Sequence, residues 1–560
     1  MSNLTVSFLL LFDGLACMLL AAGAHALGLD PNPDWGVSRY ALFFFGLGLL
    51  VLSVSLIAKK NAGGFIGTIL NSESVKTISV LAHLWGIILL IYIWFITFGT
   101  FTSWTHTSHY YTLLADAFAH GQLHVDMNPG SLLDAADPYD PGGRAPFRDE
   151  IWDMSFYDGK LYFYWGPVPS LLLAPIQSLT GIKASDSQLV FWFLAGLLVF
   201  NSLIVLTLWR RFFPMVPAWN VFLCIALIGL ILPIPWEAGT PYVYAVAATA
   251  GPFFLMGGIY FILQAFDSAD AFRTRYLFLA GFFWACAVGS RAILAIPVIF
   301  MAFLALLWIL KSPPAWSEWK RVISPLLALF VPLAVGAALT GWYNWARFDS
   351  PLEFGIRYQI TTYNLNERAG EMFRFEYAWR NLYAYLIQPF RFVPVFPFIE
   401  PIVLSGNAIR VGAGVDSIYY AGRTVGLLFS MPFLFLGLIP VFSRRAIRRE
   451  DTRPLRAITL LLAASGLTGF LSLLFYFNAQ TRFIMDFVSP FTLLAIPGYW
   501  MTASARANLP SRTVRAGMWL STMLLAFTIL AGLLLSITGE TSRMESFNPN
   551  LLNGIDSLFR

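Results

Sequence analysis

Runs of about twenty apolar residues recur along the whole chain, and nothing constrains its fold more. They lie near 4–27, 39–58, 77–101, 187–209, 218–234, 242–266, 275–290, 292–310, 322–341, 421–443, 457–477, 483–503 and 516–537. Lipid offers no partner to an open backbone, so each run predicts a helix that satisfies its own N–H and C=O groups. The chain therefore reads as an all-α polytopic membrane protein with about thirteen transmembrane helices. Composition agrees, with 58% of residues hydrophobic and only 12% charged, against roughly 25% charged in soluble domains. The stretch 161–180 is also apolar, but GPVPSLLLAP sets two prolines ahead of a leucine run. That pattern fits a helix lying in the interface.

The net charge of +5 comes from arginines spread over many connections and calls for no nucleic-acid partner. Cys17, Cys224 and Cys286 all sit in apolar runs, and none suggests a disulfide framework or a zinc site. The start, MSNLTVSFLLLFDGLACMLL, has no basic leader and no small-residue cleavage site, so an uncleaved first helix is expected. P-loop, GxGxxG, GxSxG, CxxC and HExxH patterns are absent. His120 and His124 are four apart with Gly121 between them, and no metal site is expected.

Orientation follows the basic residues of the short connections. With a cytoplasmic N-terminus, the inner loops hold Lys59, Lys60, Arg210, Arg211, Arg273, Arg275, Lys311, Arg444, Arg445 and Arg512. Two long connections, 102–186 and 342–420, then fall on the extracytoplasmic side and are expected to contain interfacial helices.

Acid is concentrated in the first of these connections. Transfer to a hydroxyl calls for a general base, and Asp or Glu commonly serves. Asp153 and Asp158 flank the MSFY segment and precede an aromatic, Gly/Pro-rich run, and Asp126 follows the Gly121 turn. Any one of these acids equally fits a solvated loop. Isolated charges at span ends form a second set: Arg291, Glu237, and Arg482 with Asp486, the last two spaced as a helical ion pair. A guanidinium at that position suits a phosphate, to which it donates two parallel hydrogen bonds. Arg347, Arg357 and Tyr358 in NWARFDSPLEFGIRYQ, with Tyr157 in the first connection, suit either a lipid-phosphate and sugar clamp or interface anchoring.

The segments AFAHGQL, DMSFYDGKLYFYWGPVPSLLLAP and LTG, with GSRAILAIP and QTRFIMDFVSPFTLLA later, resemble the GT-C superfamily of polyprenyl-phosphate-dependent membrane glycosyltransferases. Its members include protein O-mannosyltransferases and aminoarabinose transferases. The resemblance covers roughly 77–500. It implies two additional N-terminal helices in 1–76, a catalytic domain over 77–541 and a C-terminal tail at 542–560. It also implies a donor sugar on a polyprenyl phosphate, a glycan, lipid or protein acceptor, and a bacterial inner (plasma) membrane location with an extracytoplasmic active site. It singles out no cofactor beyond the polyprenyl-phosphate sugar donor, and a divalent cation is left open. The family often places an acidic pair at the end of the preceding span, whereas Thr105–Tyr110 reads THTSHY. The base is therefore expected further on, at Asp153, with Asp126 and Asp158 behind it. Arg291, Arg357 and Arg347 are expected at the donor phosphate, and Glu237, Tyr157, Tyr358 and Arg482 at the substrate. The competing readings are a lipid-linked oligosaccharide ligase or polymerase and a glycolipid transporter or flippase.

Overall fold

The computed structural model describes residues 3–25, 35–58, 73–102, 104, 108–144, 151–266, 273–310, 320–403, 418–442, 453–504 and 511–559. The protein is mostly helical (72%). Eight described helices are long and apolar enough to cross a membrane: Ser79–Ile96, Asp186–Phe212, Val243–Ala265, Ala292–Leu310, Val322–Phe348, Pro454–Leu474, Thr481–Thr502 and Arg515–Thr538. Shorter apolar helices occupy Leu9–Gly23, Arg39–Ser53, Ala218–Leu230 and Pro432–Phe442, and a 17-residue helix spans Thr274–Ser290. Eight of the expected runs coincide with these long helices among the described residues, and the first two runs lie on Asn3–Gly23 and Val37–Ala58, of 21 and 22 residues. The run 421–443 is the most broken, passing through Arg423–Thr424 as strand before the short helices Leu427–Ser430 and Leu438–Phe442. Lys59, Lys60, Lys311, Arg444 and Arg445, on which the orientation partly rests, lie outside the described residues.

Burial separates an inner layer of helices from an outer one. Thr481–Thr502 and Val243–Ala265 are enclosed nearly all round, whereas Val322–Phe348 keeps most of its surface outward. An apolar helix that is exposed in this way is suited to lipid contact. The inner helices pack closely because small residues let neighbours approach. A Cβ at Gly258 would come within 2.3 Å of the Trp284 ring, so only glycine fits against the Thr274–Ser290 helix there.

The first long connection folds into two packed helices, Tyr110–Ala119 and Val168–Thr180, and a small hairpin, Ser155–Tyr157 with Lys160–Tyr162. Val168–Thr180 is the helix expected in the interface; Leu171, Leu172, Ile176 and Leu179 remain exposed on it. At its foot Gly166 lies against the backbone of Gly289 and Ser290, where any side chain would collide. The connection is thereby set beside Arg291.

The second long connection contributes short turns and two strands, Phe390–Phe392 and Ile399–Val403, which Arg423–Thr424 of the following run joins to make a three-stranded sheet. It docks on the first. Asp153 N–H donates to Ile360 O (2.9 Å) and Ile360 N–H to Met154 O (2.8 Å). Ser155 Oγ donates to Gly355 O (2.8 Å), Arg144 Nη2 to Thr361 O (2.6 Å) and Asn364 Nδ2 to Asp137 Oδ2 (2.9 Å). Segments some 200 residues apart in sequence are laced into one layer.

Candidate active site

The helix Tyr110–Ala119 is fixed first. Its N-terminal N–H groups need acceptors, and Asp186, at the head of the next span, supplies them: Oδ2 accepts from Tyr110 N–H (3.3 Å) and Oδ1 from Tyr111 N–H (3.4 Å). Ser108 Oγ donates to the same carboxylate at 2.5 Å. Phe163 stacks on Tyr111 (6.4 Å between centroids) and meets Tyr110 edge-on (5.3 Å). The aromatic run after the hairpin is therefore held against this helix.

Between helix and hairpin the chain turns inward at Asp153. Its φ of +63° lies in the left-handed region, which Asp tolerates better than most residues. The residue is 7% exposed. Oδ1 accepts from Gln359 Nε2 at 2.5 Å. Burial pushes the carboxyl up to about 6, and the Gln359 amide, the charge of Arg482 and the Thr361 hydroxyl restrain the rise.

Arg482 comes from the short turn Thr481–Ile484 that begins the buried helix Thr481–Thr502. Its guanidinium rests over Tyr244 (4.3 Å) and Phe483 (5.3 Å), half-buried. Its charge is felt by Asp153, Glu237 and Glu540, which makes it the cation shared by the surrounding acids. Glu237, on the short helix Ile234–Ala238, is 2% exposed, and burial pushes it up to about 8 against the pull of Arg482 and Arg291. Glu540 and Arg543 line a neighbouring pocket with Gly239 and Thr240.

The other expected arginines separate into different roles. Arg291 pairs with Asp486 at 2.6 Å and lies 5.3 Å from the Phe483 centroid. The helical spacing of Arg482 and Asp486 suggested a pair, yet Asp486 is held by Arg291 and Arg482 turns to Tyr244. Arg347 is 4% exposed and committed to protein: Nε donates to Tyr343 O (3.2 Å), Nη2 to Asn344 Oδ1 (2.9 Å), and Nη1 to Phe163 O. It ties the end of Val322–Phe348 to the first connection. Arg357 sits 5.5 Å from the Tyr358 centroid, and its buried Nε has no hydrogen-bond partner among the described residues.

Tyr157 and Tyr358 do meet, at 4.7 Å between centroids, and Tyr157 OH donates to Asp349 Oδ2 (3.0 Å). They form an aromatic patch with Phe348 and Tyr139. Asp158 is exposed in the two-residue hairpin turn, and Asp126 is exposed beside the Val125–Leu161 bridge. Neither is brought to Asp153's partners. Asp116 accepts from Lys183 Nζ (2.8 Å) and from Gln177. Among the described residues no group of three or more His, Cys, Asp or Glu gathers around a point.

Fold and site together define a multi-pass membrane protein with a charged centre built where its two long connections meet the ends of inner helices. No family model and no curated protein matches the chain. Among solved structures it is similar to the oligosaccharyltransferase of Archaeoglobus fulgidus in the apo form, with 14% identity and a TM-score of 0.44 over 80% of this chain and 55% of that one. The same archaeal enzyme with an inhibitory peptide and a dolichol-phosphate gives 13% and 0.40, over 80% and 55%. ArnT from Cupriavidus metallidurans bound to undecaprenyl phosphate gives 11% and 0.40, over 83% and 76%. The chain thus spans about half the length of the archaeal chains it matches.

Proposed function

We propose that the protein is an integral membrane glycosyltransferase that moves a sugar from a polyprenyl-phosphate donor to an acceptor hydroxyl at the extracytoplasmic face. The observation that carries the reading is Asp153, a withdrawn carboxylate between two docked connections and within electrostatic reach of the half-buried Arg482. It joins the sequence resemblance to GT-C enzymes, whose chemistry needs a base and a cation in one place.

In this mechanism the acceptor oxygen attacks C1 of the donor sugar. The C1–O(acceptor) bond forms, the bond from C1 to the phosphate oxygen breaks, and the acceptor proton passes to Asp153. The polyprenyl phosphate leaves with the bonding pair, and Arg482 faces its charge, backed by the Arg291–Asp486 pair. Glu237, largely protonated at neutral pH, is a hydrogen-bond donor to a sugar or acceptor oxygen. Tyr157 and Tyr358 offer an aromatic face to a sugar ring, with Arg357 beside them. Arg347 is assigned to holding the connections together rather than to the phosphate.

The test is transfer from a radiolabelled polyprenyl-phosphate sugar in reconstituted vesicles. Asp153→Asn is expected to bind the donor and to lose turnover; a variant as active as the native chain overturns the assignment.

A further inference from the structure

We propose that Gln359, from the second long connection, is the positioning residue for Asp153, so that the candidate base exists in working form only when the two connections are docked. This rests on the reading of Asp153 as base.

The geometry has three parts. Gln359 is 7% exposed, and its Nε2 donates to Asp153 Oδ1 at 2.5 Å. Its backbone forms a bridge with Ser155. On the adjacent residue, Ile360 O accepts from Asp153 N–H and Ile360 N–H donates to Met154 O. The amide thus arrives on a backbone whose register is fixed on both sides of the carboxylate, and Asp153's left-handed φ falls at the third position of the turn closed by Met154 N–H to Ile151 O (3.1 Å). The groups facing Asp153 are few. Gln359 and Thr361 come from the second connection, Arg482 from the head of the buried helix, Tyr110 from the loop helix and Tyr164 from the aromatic run. Burial pushes the Tyr110 phenol up to about 12 and Tyr164 well above its ordinary value, so both stay neutral around pH 7. The Gln359 amide, Arg482 and the Thr361 hydroxyl are then the partners that favour ionised Asp153 throughout the working range. Arg482 acts as a charge, whereas Gln359 acts as an oriented donor that fixes which way the carboxylate faces.

The experiment uses the full chain in vesicles of defined lipid. Asp153 is labelled with a water-soluble carbodiimide and an amine from acid to neutral pH, and its modification is quantified by mass spectrometry. Turnover is measured against pH on the same samples. In Gln359→Leu the labelling midpoint is expected to rise by about one pH unit. The acidic limb of the turnover profile should move with it, while KM for the donor changes little. An unmoved midpoint, or turnover lowered equally at every pH, overturns the proposal. If Gln359→Leu fails to fold, Gln359→Glu retains the size and adds a second carboxyl. A larger upward shift then supports the pairing, and no shift overturns it. Labelling reads the pairing without catalysis, so a shifted midpoint in a chain that transfers no sugar sustains the pairing and sinks the transferase reading.

Discussion

Asp186 and Asp153 belong to the end and the middle of the same connection, and both are withdrawn from solvent. Asp186 spends its oxygens locally, on the hydroxyl of Ser108 and the first two N–H groups of the helix it caps. Asp153 receives its side-chain donors from a connection 206 residues away and faces a cation that still reaches solvent. A carboxylate saturated by a helix terminus is structural, whereas one bonded across two docked loops beside an open arginine has acceptor capacity left for a substrate proton. Burial alone does not mark the site.

The largest expected effects come from removing each carboxylate in turn. Asp153→Asn should lower turnover by roughly 10²–10⁴-fold, the usual contribution of a positioned base. It should also make the protein more stable at pH 8. A carboxyl raised to about 6 binds its proton more tightly folded than unfolded. Its stabilising contribution is complete below the ordinary value of 3.8 and is lost as pH rises through about 6. Neutral Asn escapes that loss, by on the order of 2–3 kcal/mol for a shift of this size. Asp186→Ala should do the reverse, destabilising by about 1–3 kcal/mol through unpaired helix N–H groups, with whatever activity survives keeping its pH profile. Thermal melts at two pH values separate the cases, and a destabilised Asp153→Asn would erase the contrast.

Next come the two arginines. Arg482→Ala should raise the donor KM and cut kcat while leaving folding nearly intact, because its guanidinium touches only ring faces among the described residues. Arg482→Lys should recover part of the loss as a point charge without the planar fork. Arg347→Lys should instead lower stability, because it loses donors to Tyr343, Asn344 and Phe163. If Arg347→Lys changes KM and Arg482→Ala does not, their roles are exchanged.

The pH profile sharpens the comparison further. With Asp153 as base, turnover should climb as pH rises through about 6. Glu237, raised to about 8, gives a second limb if it acts protonated, so activity should fall above that value. Glu237→Gln should remove the upper limb and keep the lower one.

The long helices were legible because an apolar run of span length has few alternatives in lipid, and the short helix at 168–180 was legible through its prolines and leucines. The break at 421–443 was not legible. Its hydropathy matches a span, and only pairing of Arg423–Thr424 with Ile399–Val403 shows that the chain enters as strand. At the candidate site, Asp153 was singled out through the resemblance and Arg482 was expected at the substrate, whereas Arg291, Arg357 and Arg347 were expected at the donor phosphate. Gln359, Glu540 and Asp186 did not stand out, because an amide in RYQITT or a lone acid at a helix start carries meaning only through a partner far off in sequence. Pairwise spacing misled at Asp486, where proximity in sequence to Arg482 lost to Arg291 across the fold.

The smallest expected effect is the most discriminating between neighbouring acids. Asp153 and Asp158 both have positive φ, +63° and +48°. At Asp158 the reason is visible: with Gly159 at +70° it forms the two-residue turn joining Ser155–Tyr157 to Lys160–Tyr162. Turns with positive φ at both positions favour Asn-Gly and Asp-Gly because they match the strand twist. Asp158→Asn should therefore change stability by no more than about 0.5 kcal/mol and leave turnover within about twofold. Asp158→Val, which forces a branched side chain into the left-handed region, should destabilise by about 1–2 kcal/mol. Asp153 also sits in a turn, Ile151–Met154, closed by Met154 N–H to Ile151 O (3.1 Å), and that turn is fastened to the second connection by Ile360 and Gln359. A tenfold loss of turnover in Asp158→Asn, with a normal melt, would transfer the role of base to the hairpin tip and leave Asp153 as the loop fastener.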